Sequence, residues 1–375
     1  MTVTALIHHR VDGSDDAPPL ILGPSLGTSL ALWDGVAPAL ARTHRVIRWD
    51  LPGHGGTPAS AMLPGTASVA ELGRLVLFLA DELGAQRFAY AGVSLGGAVG
   101  AWLAVHHPER VASLALVCSS ARFGEPAAWR DRAELVRAKG TGVLAEAQPD
   151  RWFSDRSLPV VARLVQDLRA ADDEGYAACC DALAEYDLRA ELSAITAPTL
   201  VIAGRDDPAT PVAHARELAD GIPGASLLEL AAAAHLAPAE QPQAVLAALQ
   251  QHLRANDGMT VRREVLGAAH VDRAVARTTD FTADFQDFIT RYAWGEIWTR
   301  PGLDRRTRSC ITLTALVAHG HLDELAMHVR AALNNGLSRQ EIKEVLLQTA
   351  VYCGVPAANS AFAVAQRVLD DIDNS

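Results

Sequence analysis

Two groups of residues in this 375-residue chain have the types and spacing to do chemistry. The first is Gly92-Val93-Ser94-Leu95-Gly96, a G-x-S-x-G run between the apolar stretch Phe88-Ala89-Tyr90-Ala91 and a helical pattern over Ala98 to His106. Small residues there permit a sharp strand-to-helix turn that lifts a serine hydroxyl clear of a sheet, where an imidazole can take its proton. An acid and then a histidine should follow in chain order. Asp206 and Asp207 stand in a turn after the apolar run Thr199 to Ala203, and His235 follows the run Ser226 to Leu230 just before a helix. The second group is Glu324 and His328. Four residues apart, they share one face of a helix, where a carboxylate can hydrogen-bond an imidazole and tune it for proton transfer.

These side chains need a scaffold. Leu20 to Leu22, His44 to Asp50, Phe88 to Val93, Ala112 to Cys118, Thr199 to Ala203 and Ser226 to Leu230 each read as a short buried strand. Helical stretches lie between several of them, such as Val69 to Leu83 after a Pro/Gly-rich turn, which predicts a mostly parallel sheet wrapped by helices. The alternation stops between Ala121 and Leu192, where the pattern is helical and predicts an inserted cap over about 121–192. A polar stretch with a glycine, Arg254 to Thr260, then reads as a linker over 255–260, dividing a first domain at 1–254 from a second at 261–375. Beyond it only helices are expected. Residues 260–375 carry 13 basic and 14 acidic side chains against 20 and 30 in the rest, a shift in composition that supports the division.

The turn Gly204-Arg205-Asp206-Asp207-Pro208-Ala209-Thr210-Pro211 resembles the G-x-x-D-x-x-x-P turn in which α/β-hydrolases place their acid, and on that match Asp207 is chosen over Asp206. Ser94 would then attack, His235 would take its proton, and Asp207 would hold the imidazole. The oxyanion hole of this fold needs the N–H after the serine, Leu95, and one from an early loop. In Gly23-Pro24-Ser25-Leu26-Gly27-Thr28 that is Leu26, with a shift of one residue open. Together with Trp33-Asp34 and Asp50-Leu51-Pro52-Gly53-His54-Gly55, this loop resembles the 3-oxoadipate enol-lactonase branch of the α/β-hydrolase fold. The resemblance spans roughly 1–254, including Phe123 to Phe153 in the cap. It implies hydrolysis of a small carboxylated enol lactone, with Trp129, Arg132 and Trp152 as candidates to hold the carboxylate beneath the cap. A serine nucleophile counts against a dehalogenase.

Residues 260–375 resemble 4-carboxymuconolactone decarboxylase over nearly their whole length. The resemblance rests on Arg291-Tyr292-Ala293-Trp294-Gly295-Glu296-Ile297-Trp298, on Gly302 to Ser309, on His328 to Ala332 and on Tyr352 to Asn359. Related thiol peroxidases of this helical fold carry a cysteine pair ahead of the histidine. Here His321 and Glu324 stand at those positions, which favours acid/base chemistry. The resemblance implies loss of a carboxylate whose electrons pass through a conjugated double bond to the lactone carbonyl, so no cofactor and no metal are called for. His328 would deliver the proton and Glu324 would orient it. Arg308 and Arg330 could anchor carboxylates, and the helical domain is expected to form a homo-oligomer, as its family does.

Composition narrows the partners. A hydrophobic share of 49% and a charged share of 21% describe a globular chain, and a net charge of −11 without a basic run argues against nucleic acid. Met1 to Val11 lacks the features of an export signal, and no apolar run is long enough to span a bilayer. Cys118, Cys179, Cys180, Cys310 and Cys353 form no C-x-x-C and read as inert thiols of a reducing cytoplasm. The expectation is a bifunctional enzyme of the β-ketoadipate pathway, protocatechuate branch, acting on small-molecule lactones. The helical part would decarboxylate 4-carboxymuconolactone, and the α/β part would hydrolyse the resulting enol lactone. Two rivals stand beside it: a serine carboxylesterase with a non-catalytic helical oligomerisation domain, and one fused to a redox-active helical domain.

Overall fold

The structure, a computed structural model, describes residues 7–62, 67–300 and 302–374, apart from the side chains of 255–257. The stretch of Met1 to Val11 before Ile7, and positions 63–66 of the turn ahead of Val69, lie outside these residues. The chain falls into two compact units that divide between His252 and Leu253.

Among the described residues of the first unit seven strands form one sheet: β1 His9–Asp12, β2 Pro19–Gly23, β3 Arg45–Trp49, β4 Phe88–Val93, β5 Val111–Val117, β6 Thr199–Gly204 and β7 Ser226–Leu230. Their spatial order is β1-β3-β2-β4-β5-β6-β7, parallel throughout except for the antiparallel pair β1 and β3. The strands β2, β4 and β6 are buried almost along their length, because helices cover both faces of a parallel sheet and leave no solvent side. The strand β1 has no counterpart among the expected apolar runs. Its four residues, His-Arg-Val-Asp, lack an apolar run, and as an antiparallel edge strand it is only partly covered.

Register places the chemistry. Gly23 pairs with Gly92, Val93 with Val117, Val117 with Ile202, and Gly204 with Leu230. The loops leaving β2, β4, β5, β6 and β7 therefore emerge from one edge, at the carboxyl ends of the strands, where open α/β sheets bind their ligands.

Between β5 and β6 the cap consists of helices, chiefly Pro126–Lys139, Gln148–Trp152, Pro159–Ala170 and Asp173–Glu185, pinned at its base by one antiparallel bridge from Arg122 to Asp187. Two glycines key it to the sheet unit. A Cβ on Gly53 would lie 2.6 Å from Gly175 Cα, and one on Gly175 would lie 2.5 Å from Gly53 Cα, so the two backbones touch directly. Beside them the Asp172 N–H donates to Gly53 O at 2.7 Å.

The second unit is helical. Arg305–His319, Leu322–Asn334, Arg339–Tyr352 and Val355–Asp373 bury a core that includes Leu313, Leu325, Val329, Ile342, Leu346 and Ala361. Local chemistry marks their ends: Asp304 accepts from the Thr307 N–H, Ser338 and Glu341 form a capping box, and Gly320 ends its helix at φ 70°. The linker expected over 255–260 is instead part of the helix Pro242–Leu266. Polar composition and Gly258 suggested a loop, yet a glycine costs a helix only about 1 kcal/mol relative to alanine. Here its missing side chain is needed. A Cβ on Gly258 would stand 2.2 Å from Thr290 O and 2.9 Å from Gly295 N, at the start of the π-helical turn Thr290–Ile297.

Candidate active sites

Ser94 is the residue between β4 and the helix Leu95–His106, and its backbone sits at φ 54°, ψ −115°. A left-handed φ on a side-chain-bearing residue costs on the order of 1–3 kcal/mol and persists where packing over-determines it. Glycines make that possible. A Cβ on Gly92 would meet Gly96 O at 2.2 Å, and one on Gly97 would meet Ser119 Oγ at 2.5 Å. The helix behind Ser94 is buried on nearly every side, so the elbow cannot relax outward.

His235 Nδ1 and Asp207 Oδ2 are 2.8 Å apart, and both residues are buried. Asp207 also accepts from the Ala209 and Thr210 N–H groups at 2.7 and 3.0 Å and from the Thr210 hydroxyl at 2.7 Å. Burial alone would push the Asp207 carboxyl up. The charge and hydrogen bond of His235, with the bonds from Thr210, outweigh it and hold the carboxyl below the usual range. Asp207 is therefore an anion at neutral pH and fixes the proton of His235 on Nδ1, leaving Nε2 as the basic nitrogen. The loop after β5 touches both sides of the site, with the Ser119 hydroxyl donating to Ser94 O at 2.8 Å and the Cys118 thiol to Ala234 O at 3.4 Å. Asp206, the alternative acid, is exposed.

On the early loop, the Gly27 N–H donates to His54 Nε2 at 3.0 Å and the Thr28 N–H to Ser25 O at 3.1 Å. Those two amides are engaged, which rules out a shift to Gly27 and keeps Leu26, with Ser25 beside it, as the loop's candidate oxyanion donor. Gly96 N–H, one residue past Leu95, is likewise taken by Pro24 O at 3.1 Å.

Of the three cap candidates, Arg132 stands closest to a binding role. Its Nε and Nη2 donate to the Tyr176 hydroxyl at 2.9 and 2.6 Å, and Nη2 also to Gln148 Oε1 at 3.0 Å, while its guanidinium lies over the Trp129 and Tyr176 rings. Trp129 spends its indole N–H on Phe123 O. Trp152 is fully buried, its ring against Gly27 and its carbonyl accepting the Leu236 N–H at 3.1 Å. It therefore braces the loops on either side of the site. Sequence reasoning missed Glu240, a buried carboxylate that accepts from the Ser154 N–H and hydroxyl at 2.7 and 2.5 Å, the Asp155 N–H at 3.1 Å and the Ala234 N–H at 2.7 Å.

In the second unit Glu324 and His328 lie on the helix Leu322–Asn334, Glu324 exposed and His328 half-buried. Among the described residues no hydrogen bond joins them, so the orienting contact expected for Glu324 is absent and their coupling is electrostatic. Burial pushes the His328 imidazole down to about 4, opposed by the Glu324 carboxylate and assisted by His270. Arg308 does not reach toward them: its guanidinium holds Leu303 O at 3.1 Å and Arg300 O at 2.8 Å, closing the turn before its own helix. Arg330 pairs with Asp371 at 3.1 Å. Two residues beyond His328, it points to a different side of the helix. There it lines a groove of about 740 Å³ with His270, Arg273, Met327, Arg367 and Asp323.

The parallel sheet, the strained serine elbow and the buried Asp–His pair at one strand edge are the arrangement of an α/β-hydrolase with a helical cap. Comparison with known proteins agrees: the model for the alpha/beta hydrolase fold matches residues 18–242, and the chain belongs to that family. The model of the carboxymuconolactone decarboxylase family matches residues 283–367. The chain is 39% identical over 242 residues to 3-oxoadipate enol-lactonase 2 of Acinetobacter baylyi, covering 64% of this chain and 89% of that protein. It is 50% identical over 119 residues to the 4-carboxymuconolactone decarboxylase of the same organism, covering 32% of this chain and 89% of that one. The crystal structure of the enol-lactonase from Burkholderia xenovorans superposes with a TM-score of 0.63 at 37% identity, covering 66% of this chain and 96% of that one.

Proposed function

We propose that this chain is a bifunctional enzyme that decarboxylates 4-carboxymuconolactone in its helical unit and hydrolyses the product, 3-oxoadipate enol-lactone, to 3-oxoadipate in its α/β unit. The observation that carries the reading is complementary coverage: a lactonase relative matches the first unit and a decarboxylase relative the second, and the product of one reaction is the substrate of the other.

In the first unit, the Ser94 hydroxyl adds to the lactone carbonyl as His235 Nε2 accepts its proton. Asp207 stabilises the imidazolium so formed. The oxyanion is held by the Leu95 and Leu26 N–H groups. Collapse expels the ring oxygen as an enol, protonated by His235, which tautomerises to the ketone. Water activated by the same imidazole then releases the acid from Ser94. Arg132, bound to the Tyr176 that stacks on His54, is the cap residue assigned to the substrate carboxylate.

In the second unit, the free His328 imidazole is neutral at neutral pH, and a neutral ring is a poor proton donor. A bound carboxylated lactone adds negative charge beside it and raises its proton affinity, so the site becomes an acid when occupied. Carbon–carbon cleavage then leaves a dienolate that takes the proton from His328, with Glu324 favouring the charged ring. Arg330, paired with Asp371 on another side of the helix, does not stand beside His328 and takes no anchoring role here. Arg308 is better explained by its loop carbonyls.

The helical unit further supports a homo-oligomer. Phe281, Phe285, Phe288 and Tyr292 recur at helical spacing on Asp280–Ile289 and the turn after it, all more than half exposed, with Phe281 at 94%. Such a stripe is the apolar face that a second copy covers.

The test supplies 4-carboxymuconolactone to the full chain and follows carbon dioxide and 3-oxoadipate separately. Ser94→Ala should release carbon dioxide and accumulate the enol lactone. His328→Ala should release none, yet open enol lactone supplied directly. If both activities fall together in either variant, the two-site reading is wrong. Decarboxylation that survives in His328→Ala would remove that residue from the mechanism.

A further inference from the structure

His54 touches none of the catalytic side chains, yet its ring is fully enclosed at the point where the cap meets the oxyanion loop. Its Nδ1 is 2.9 Å from Pro52 O, and a carbonyl can only accept, so the ring proton sits on Nδ1. The lone pair of Nε2 is thereby turned on the Gly27 N–H, 3.0 Å away. We infer that His54 is a positioning residue for ester cleavage: by accepting the Gly27 amide it fixes the plane of the peptide that follows Leu26 and aims the Leu26 N–H at the forming oxyanion. The inference rests on the serine-hydrolase reading of the first unit.

The surroundings support that single role. Gly27 is held at φ 81°, and a Cβ there would press on Leu168, Tyr176 and Trp152 at 2.9 to 3.4 Å, so the loop has no slack on its cap side. Without His54 the Gly27 N–H would be a competing donor one residue from Leu26. The turn carrying His54 is closed by Asp50, which accepts the Gly56 N–H at 2.9 Å and the Leu30 N–H at 2.6 Å, tying it to the far end of the same loop. From the cap, the Tyr176 ring stacks on His54 with centroids 5.9 Å apart, and its hydroxyl is held by Arg132. The neutral ring that this geometry needs is also the form that burial favours, since desolvation lowers the imidazole's proton affinity.

The test compares His54→Asn with His54→Gln in the full chain. The asparagine amide reproduces the Nδ1 donor to Pro52 O but stops short of Gly27. The glutamine oxygen reaches the position of Nε2 and restores the acceptor. Loss of a well-aimed oxyanion donor costs up to about 100- to 1000-fold in kcat. Partial misalignment in His54→Asn should lower kcat about 10- to 100-fold with KM little changed, and His54→Gln should recover most of the loss. Both the enol lactone and p-nitrophenyl acetate serve as substrates, with melting temperatures recorded alongside. If the asparagine variant does not fold, His54→Phe, which keeps the stack on Tyr176, replaces it. Equal kcat in the acceptor-free and glutamine variants overturns the role of His54 and leaves the lactonase reading intact. Cleavage of the acetate but not the lactone by the unmodified enzyme overturns the lactonase reading and leaves the His54 comparison standing.

Discussion

Glu240 offers the sharpest test of how the first unit holds its site, because one carboxylate joins the cap to the histidine loop. Oxygen Oε1 takes three donors from Ser154 and Asp155, and Oε2 takes the Ala234 N–H, the residue before His235. In Glu240→Gln one oxygen becomes an NH2 group, so a donor must face a donor at one end. Ser154 and Asp155 are exposed and can turn to water at little cost, whereas Ala234 is buried. The glutamine should therefore keep its oxygen toward the buried Ala234 N–H and abandon the cap. Losing charge-assisted bonds at the exposed end, partly replaced by water, leaves a penalty of about 1–2 kcal/mol. Glu240→Ala strands the Ala234 N–H as well, adding about 1–3 kcal/mol. For a unit of this size each kcal/mol lowers Tm by about 2–4 °C. The glutamine variant should then melt about 2–8 °C lower, and the alanine variant lower again. Activity should separate the two more strongly. Displacement of a catalytic group by about 1 Å can cost about 100-fold, so lactone opening in Glu240→Ala should fall by one to two orders of magnitude. Glu240→Gln should lose mainly substrate affinity through the loosened cap. Scanning calorimetry and lactone hydrolysis measure both, with carbon dioxide release as the internal control. If alanine proves no worse than glutamine in kcat, Glu240 does not position His235 and the reasoning fails.

Two more outcomes follow from the helical unit. His328 folds with its imidazole pushed down to about 4 from an ordinary 6.5, so the unfolded chain binds more protons between those values and stability falls as pH drops through that window. His270 is shifted the same way, so replacing His328 by Gln should weaken, without abolishing, the loss of Tm of this unit between pH 7 and pH 5; an unchanged slope would refute the burial of His328. Replacing Phe281 and Phe285 together by serine should reduce the mass seen by light scattering while helix content by circular dichroism stays constant. A mass identical to that of the unmodified chain would remove the aromatic stripe as the assembly face.

What could be read from the residues alone was whatever is local. Six strands are apolar runs, and Ser94, Asp207 and His235 follow strands in motifs a few residues long. The polar edge strand His9–Asp12 has no such run, because its pairing with β3 supplies what composition does not. Gly258 looked like a helix stop because the close approach of Thr290 and Gly295 lies more than thirty positions away. The expectation that Arg308 anchors a carboxylate fails on the loop carbonyls its guanidinium holds, and nothing near Glu240 in the sequence announces donors up to 86 positions away. Long-range hydrogen bonds leave no periodicity in a sequence. They account for most of what had to come from structure.

The paired glycines at 53 and 175 bear on how such an enzyme could be remodelled. A cap taken from another hydrolase to admit a bulkier lactone would meet the sheet unit backbone to backbone at that point. Any donor helix with a side chain at the position of Gly175 would be wedged away from the turn that carries His54. The donor's own recognition residues would then arrive displaced, however well chosen. Graft boundaries belong outside this contact, so that both glycines are inherited together or both are retained.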